Sequence, residues 1–176
     1  MDRLFFALRP DVAAARRIER LALDLRESLG LTARPLAADR LHVTLCFLGD
    51  YAELAPPLVA AADAAANGLR HAPVELTFDR VMSFRRQGDA PVVLCRKDEC
   101  APLAQLRASL REAVACTQRF KPDSRGFKPH VTLLYDRQPV PLREIAPIGW
   151  SATEVLLIRS LIGRGKHEVL GRYPLR

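Results

Sequence analysis

Leu41-His42-Val43-Thr44-Leu45-Cys46-Phe47-Leu48 alternates like a strand and stops at Gly49-Asp50. The same opening recurs in His130-Val131-Thr132-Leu133-Leu134-Tyr135, at 130 − 42 = 88 positions further on. The whole chain contains four His. At its composition one His-x-Thr-Leu is expected about 0.02 times, so a chance pair is on the order of one in several thousand. In a strand, residues i and i+2 share a face. Each His therefore points the same way as its Thr, while Val43, Leu45, Val131 and Leu133 turn to the core. A twofold axis between two such strands would set two imidazoles and two hydroxyls across one cleft.

The flanking sequence repeats as well. Leu4-Phe5-Phe6-Ala7-Leu8 reads as a buried strand. Asp11 is a plausible helix N-cap, Ile18, Leu21, Leu25 and Leu29 form a helical stripe, and Gly30 closes the helix. Val92-Val93-Leu94-Cys95 and the stripe Leu103, Leu106, Leu110 and Val114 follow the same order in the second half. Val74–Asp79 and Val155–Ile158 supply a further strand each, and an Ala-rich helix lies between Tyr51 and Asn67, its start blurred by Pro56-Pro57. The loops around Arg85–Asp89 and Lys121–Gly126 are polar and basic. No linker separates the halves, so the expectation is one α+β domain over 1–176, made of two pseudo-symmetric lobes from an internal duplication.

Length and composition narrow the function. With 176 residues, 49% hydrophobic and 27% charged, the chain is long enough for a real core. No apolar run approaches the roughly 20 residues of a membrane helix, and the first residues show no secretory signal. Cys46, Cys95, Cys100 and Cys116 stand singly, against a zinc ribbon or a redox C-x-x-C pair and in favour of reduced thiols in the cytoplasm. The net charge of +7 suits a polyanionic partner. Only four of the 27 basic residues are Lys, however, and an Arg- and Ala-rich chain can owe its charge to codon bias.

The His and Thr set suits a phosphodiester. A neutral imidazole can take a proton from the attacking group while a protonated one gives a proton to the leaving oxygen. Thr hydroxyls can donate to the non-bridging oxygens as charge builds. A lone strand histidine is ordinarily a core residue, but duplication with an in-phase Thr each time reverses that preference. No carboxylate accompanies the pair at ligand spacing, so neither metal nor other cofactor is expected. His71 and His167 lack such support and read as solvated, the latter in a basic turn.

The paired motifs mark the chain as resembling the two-histidine (2H) phosphoesterases. The stretches Arg34–Gly49 and Phe127–Leu134, the opening Arg3–Leu8 and the closing Ser160-Leu161 through Tyr173-Pro174-Leu175 are similar to the bacterial RNA 2′,3′-cyclic phosphodiesterase branch, long called 2′-5′ RNA ligases. The resemblance implies a bilobal α+β fold with an antiparallel sheet flanked by helices in each lobe and a central cleft. It implies hydrolysis of RNA 2′,3′-cyclic phosphate ends to 2′-phosphomonoesters, with reversible 2′-5′ ligation as a related activity. Carried over by position, His42 would be the proton donor to O3′, His130 the base for water, and Thr44 and Thr132 the phosphate holders. The motifs themselves are identical and leave the two roles open.

Many relatives carry Arg five residues after the second motif His, where it contacts substrate; here that residue is Tyr135, and its first-copy counterpart is Phe47. Such a pair could stack a base, worth about 1–3 kcal/mol. On a regular strand i+5 falls on the opposite face, so core burial competes unless a bulge or strand end turns them. Arg34, Arg40, Arg125 and Lys128 are candidates for the cleft mouth. The expected partners are RNA with 2′,3′-cyclic phosphate ends, tRNA fragments among them, or cyclic nucleotides; no membrane partner is expected, and the protein is expected to be a monomer. Two rivals remain: an enzyme for small nucleotide cyclic phosphates, and a non-catalytic RNA-binding module.

Overall fold

The computed structural model describes residues 1–85, 87–121 and 126–176. Among these residues eight strands and three α-helices follow in the order β1 (Asp2–Leu8), α1 (Val12–Leu29), β2 (Val43–Tyr51), α2 (Pro56–Asn67), β3 (Val74–Ser83), β4 (Ala90–Cys95), α3 (Ala101–Cys116), β5 (His130–Asp136), β6 (Arg143–Ala152), β7 (Glu154–Leu161) and β8 (Lys166–Pro174). The fold is α+β. Local chemistry accounts for the helix ends. Asp11 Oδ1 accepts from Ala14 N at 2.7 Å, and Gly30, at φ 65°, takes the left-handed conformation that closes α1. Pro56 sits in the first turn of α2, where its missing N–H costs nothing.

All pairings are antiparallel, in the order β6-β3-β4-β5-β2-β1-β7-β8. The two central strands, β5 and β2, meet at one residue pair, Val43 with Val131. Four strands thus lie on either side of a narrow seam, and where the resemblance implied a sheet in each lobe, one sheet runs through that seam. The halves of the sheet are not the halves of the chain. Strand β3 joins β4 and β6, whereas β7 and β8 return to β1, so the late strands cross over.

All three helices cover one face. The core there includes Leu4, Phe6 and Leu8 of β1, Ile18 and Leu25 of α1, and Leu103, Leu106, Leu110 and Val114 of α3, the whole stripe read from the sequence. Each such side chain contributes about 1.5–3 kcal/mol by leaving water. In α1 the buried set runs through Ala14, Ala15 and Ala22 rather than Leu21 and Leu29, which stay partly covered. The opposite face carries a small apolar floor of Phe5, Ala7, Leu156 and Ile158, with Val169 against it. The motif residues stand beside this floor.

Two strands escaped the sequence reading. Both β6 and β8 are edges, mostly exposed or half-buried, so neither shows the apolar run that marks β1 or β4. Pro147 is tolerated within β6 because an edge strand has N–H groups without ladder partners.

Candidate active site

His42 immediately precedes β2 and His130 opens β5, so the Val43–Val131 pair sets both imidazoles at the seam. By that register His42 stands across from Thr132 and Thr44 across from His130. Val43 and Val131 are fully buried, while the two His and two Thr are half-buried on the other face.

Each imidazole is held by the same backbone device. His42 Nδ1 lies 2.7 Å from the Arg40 carbonyl oxygen, and His130 Nδ1 lies 2.7 Å from that of Lys128. A carbonyl only accepts, so Nδ1 carries the hydrogen in both rings, and the neutral ring presents the Nε2 lone pair. Burial lowers the pKa of both. His42 is pushed down to about 4 by burial first, then by the nearby charges of His167, Arg9 and His130, against the Arg40 hydrogen bond. His130 is lowered by burial, opposed by the Lys128 hydrogen bond.

The aromatic pair is turned to the same face by bulges. The β1–β2 register slips between Phe6 and Ala7, so that Leu45 and Cys46 are both buried and Phe47 returns opposite Phe5. The β4–β5 register slips between Val92 and Val93, so that Leu133 and Leu134 are both buried and Tyr135 emerges opposite Pro91. Each bulge frees a carbonyl that must be satisfied from outside the ladder. Arg107 Nε of α3 donates to Leu45 O at 3.0 Å, and Leu36 N donates to Leu133 O at 2.7 Å. Tyr135 is 42% exposed. Phe47 lies under the Arg3 guanidinium, 5.6 Å from the ring centroid, and Asp50 holds Arg3 through two hydrogen bonds of 2.7 and 2.8 Å.

The surroundings of the two histidines differ. His42 stacks on Phe5 with ring centroids 5.0 Å apart, and His167 meets it edge-on at 5.2 Å. His167 therefore belongs to β8 and to the site, not to a solvated turn; its own pKa is pushed down to about 4 by burial and by Arg40 and Arg9. Phe84 meets His130 edge-on at 4.8 Å. Beside it opens a cavity of about 510 Å³ whose walls include Phe84, Cys95, Phe127, Lys128 and Arg107; neither motif histidine lines it. Arg107 also lies over the Phe127 ring at 4.4 Å.

Of the basic candidates, Lys128 lines that cavity, Arg40 stands beside His167, Arg34 is exposed, and Arg125 lies outside the described residues. Phe5, Phe84, Arg9 and His167 were missed by sequence reasoning. Only Phe5 carried a signal, as the residue of the β1 run whose parity opposes Leu4 and Phe6. Among the described residues no group of three or more His, Cys, Asp or Glu is arranged to hold a metal ion, and no helix is long and apolar enough to cross a membrane. All four cysteines are free thiols.

The signature of the 2′-5′ RNA ligase superfamily matches residues 10–161. An Escherichia coli (strain K12) protein named RNA 2′,3′-cyclic phosphodiesterase is 32% identical over 167 residues, covering 94% of this chain and 90% of its own. The crystal structure of E. coli LigT in apo form superposes with a TM-score of 0.78 at 29% identity, covering 99% of this chain and 97% of that one. LigT complexed with 3′-AMP gives a TM-score of 0.77 at 29% identity, covering 99% and 98%. With the seam, the paired imidazoles and these likenesses together, the chain belongs to the 2′-5′ RNA ligase superfamily of 2H phosphoesterases, an enzyme family.

Proposed function

We propose that this chain opens the 2′,3′-cyclic phosphate at RNA ends to a 2′-phosphomonoester, by acid/base catalysis at His42 and His130 without a metal. In the reaction, one Nε2 takes a proton from the attacking water as its oxygen bonds to phosphorus. The P–O3′ bond breaks, and the other imidazole hands a proton to O3′. Thr44 and Thr132 share the imidazole face and donate to the non-bridging oxygens. The observation that carries this reading is the seam itself, with two imidazoles pinned through Nδ1 in the same way and two threonines in phase. By family resemblance, His42 is the donor and His130 the base. The name of the E. coli relative supports the cyclic phosphodiester as substrate.

A desolvated His42 beside Arg9 and His167 is neutral in the free protein at neutral pH, so it must gain its proton when substrate brings negative charge. Opening of the same ring by a ribose 5′-hydroxyl in place of water, with O3′ again leaving and taking a proton, would join RNA ends 2′-5′ at the same atoms.

Turnover of adenosine 2′,3′-cyclic phosphate followed by phosphorus NMR tests the reading. A 2′-phosphate alone is expected, with activity surviving excess chelator. A 3′-phosphate would reverse the leaving group, and no turnover would leave an RNA-binding module.

A further inference from the structure

Among the described residues three buried nitrogens beside His42 lack any hydrogen-bond partner: Arg9 Nε, Arg40 Nε and His167 Nδ1. Buried polar groups are ordinarily satisfied, and cationic ones almost always, so a cluster of three requires an explanation. Among the described residues neither Arg9 nor Arg40 makes an ion pair or a side-chain hydrogen bond. Asp39 and Glu154 lie near enough to Arg9 to act on its charge, yet neither closes on it. Orphans on the other side of the seam are different. There Arg80 also lacks a partner at Nε but pairs with Glu144 through Nη2 at 3.1 Å, and Arg96 donates from Nε to the Asp98 carbonyl.

The cluster extends away from His130. Arg9 follows Leu8, the partner of Val43, and so stands alongside His42 at the end of β1. His167 lies on β8, beyond β1 and β7, and its ring reaches back across Phe5, 5.7 Å from that ring and 5.2 Å from His42. An anion bridging these nitrogens would sit beside the reacting phosphate rather than at it. Guanidinium groups match phosphate oxygens in geometry as well as charge. Along an RNA end, the next phosphate after the cyclic one is the 5′-phosphate of the same nucleotide, one ribose away.

We infer that Arg9, Arg40 and His167 form a second phosphate site, which takes the 5′-phosphate of the terminal nucleotide while its cyclic phosphate lies at the histidine pair. This rests on the reading proposed above. The site makes a 5′-phosphorylated or chain-linked nucleotide bind more tightly than a nucleoside cyclic phosphate, which still reacts at the histidine pair.

Product-like nucleotides test the site without turnover. By calorimetry at low salt, adenosine 2′,5′-bisphosphate should bind at least tenfold more tightly than adenosine 2′-phosphate. Arg9→Gln and Arg40→Gln should each bring that ratio to within about twofold, while Arg20→Gln, on the exposed face of α1, should keep it. Equal affinity of the two nucleotides for the unaltered protein would overturn the proposal, whatever its activity. So would a ratio that survives both Arg variants, or a marked fall in melting temperature on either substitution, since that would reveal a structural partner. In parallel, turnover of adenosine 2′,3′-cyclic phosphate reports on the underlying reading alone; if it fails while the tenfold ratio stands, the phosphate site remains and the catalytic role is lost.

Discussion

His42 and His130 are held by one backbone device in two unlike settings. Each ring donates Nδ1 to the carbonyl two residues earlier at 2.7 Å, and each is followed by the valine that closes the seam. Beyond that the likeness ends. Around His42 lie an apolar ring, a second imidazole and two arginines whose Nε atoms have no partner among the described residues; beside His130 lie Phe84 and the cavity that Phe84 helps to line. The repeated motif fixes tautomer and direction, which are backbone properties. Proton affinity is set by residues outside the motif, on β1, β8 and the loops, and there the two settings differ. Two equal imidazoles would compete for one proton. Unequal surroundings separate them; in the free protein the lower proton affinity falls on His42, so the donor role proposed for it depends on the negative charge that substrate brings.

The largest effect should come from removing either ring. His42→Ala and His130→Ala are each expected to lower the rate by about 10²–10⁴. The double variant should be little worse than the poorer single one, because groups acting as a unit are not additive. Steady-state kinetics on a cyclic mononucleotide would check this; a single variant that kept most of its activity would remove that histidine from the mechanism.

The motif histidines and threonines, the helix caps and the α3 stripe were legible because each depends on local spacing. The bulges were legible in principle. Leu45-Cys46 and Leu133-Leu134 each put two apolar residues side by side, and a strand can bury both only by slipping phase. The crossing of β7 and β8 to the N-terminal strand was not legible, since nothing local in a strand names its partner. His167 was hidden for that reason. Its neighbours Lys166 and Glu168 pair with each other at 3.2 Å, and only the return of β8 past β7 brings its ring to Phe5.

The next effect concerns protons. In the free protein, NMR titration should find His42 near pH 4 and His130 below the ordinary value of 6.5. Arg9→Gln should raise the midpoints of His42 and His167, which both feel that guanidinium, and leave His130 unmoved. The linked change in stability has a definite sign. Between about pH 6.5 and 4 the unfolded chain holds more protons at His42 and His167 than the folded one, so stability falls as pH falls through that window. Equal midpoints for His42 and His130 would erase the electrostatic contrast between the two settings.

The bulges offer a smaller and purely structural comparison, one carbonyl met by a side chain and the other by a backbone N–H. Arg107→Ala strands Leu45 O, and Leu36→Pro strands Leu133 O. Each is expected to cost about 1–3 kcal/mol in urea denaturation. If Leu36→Pro alone were costly, water would be replacing the Arg107 contact.

The smallest effect distinguishes the aromatic pair. Both rings have been returned to the face of the two histidines by their bulges, but their availability differs. Phe47 is half-buried and already covered by Arg3, which Asp50 clamps in place. Tyr135 is 42% exposed, opposite Pro91. A base arriving at the site can therefore stack on Tyr135 at once, whereas stacking on Phe47 requires Arg3 to leave both a carboxylate and a π face. Tyr135→Ala should weaken single-stranded RNA binding by about five- to tenfold, a contribution at the lower end of the 1–3 kcal/mol typical of base stacking. Phe47→Leu, which keeps the apolar volume, should change it by less than about twofold. Fluorescence anisotropy with a short oligonucleotide measures both. A larger loss at Phe47 than at Tyr135 would mean that Arg3 moves and that the covered ring is the stacking platform; no loss at either would confine the aromatic pair to packing.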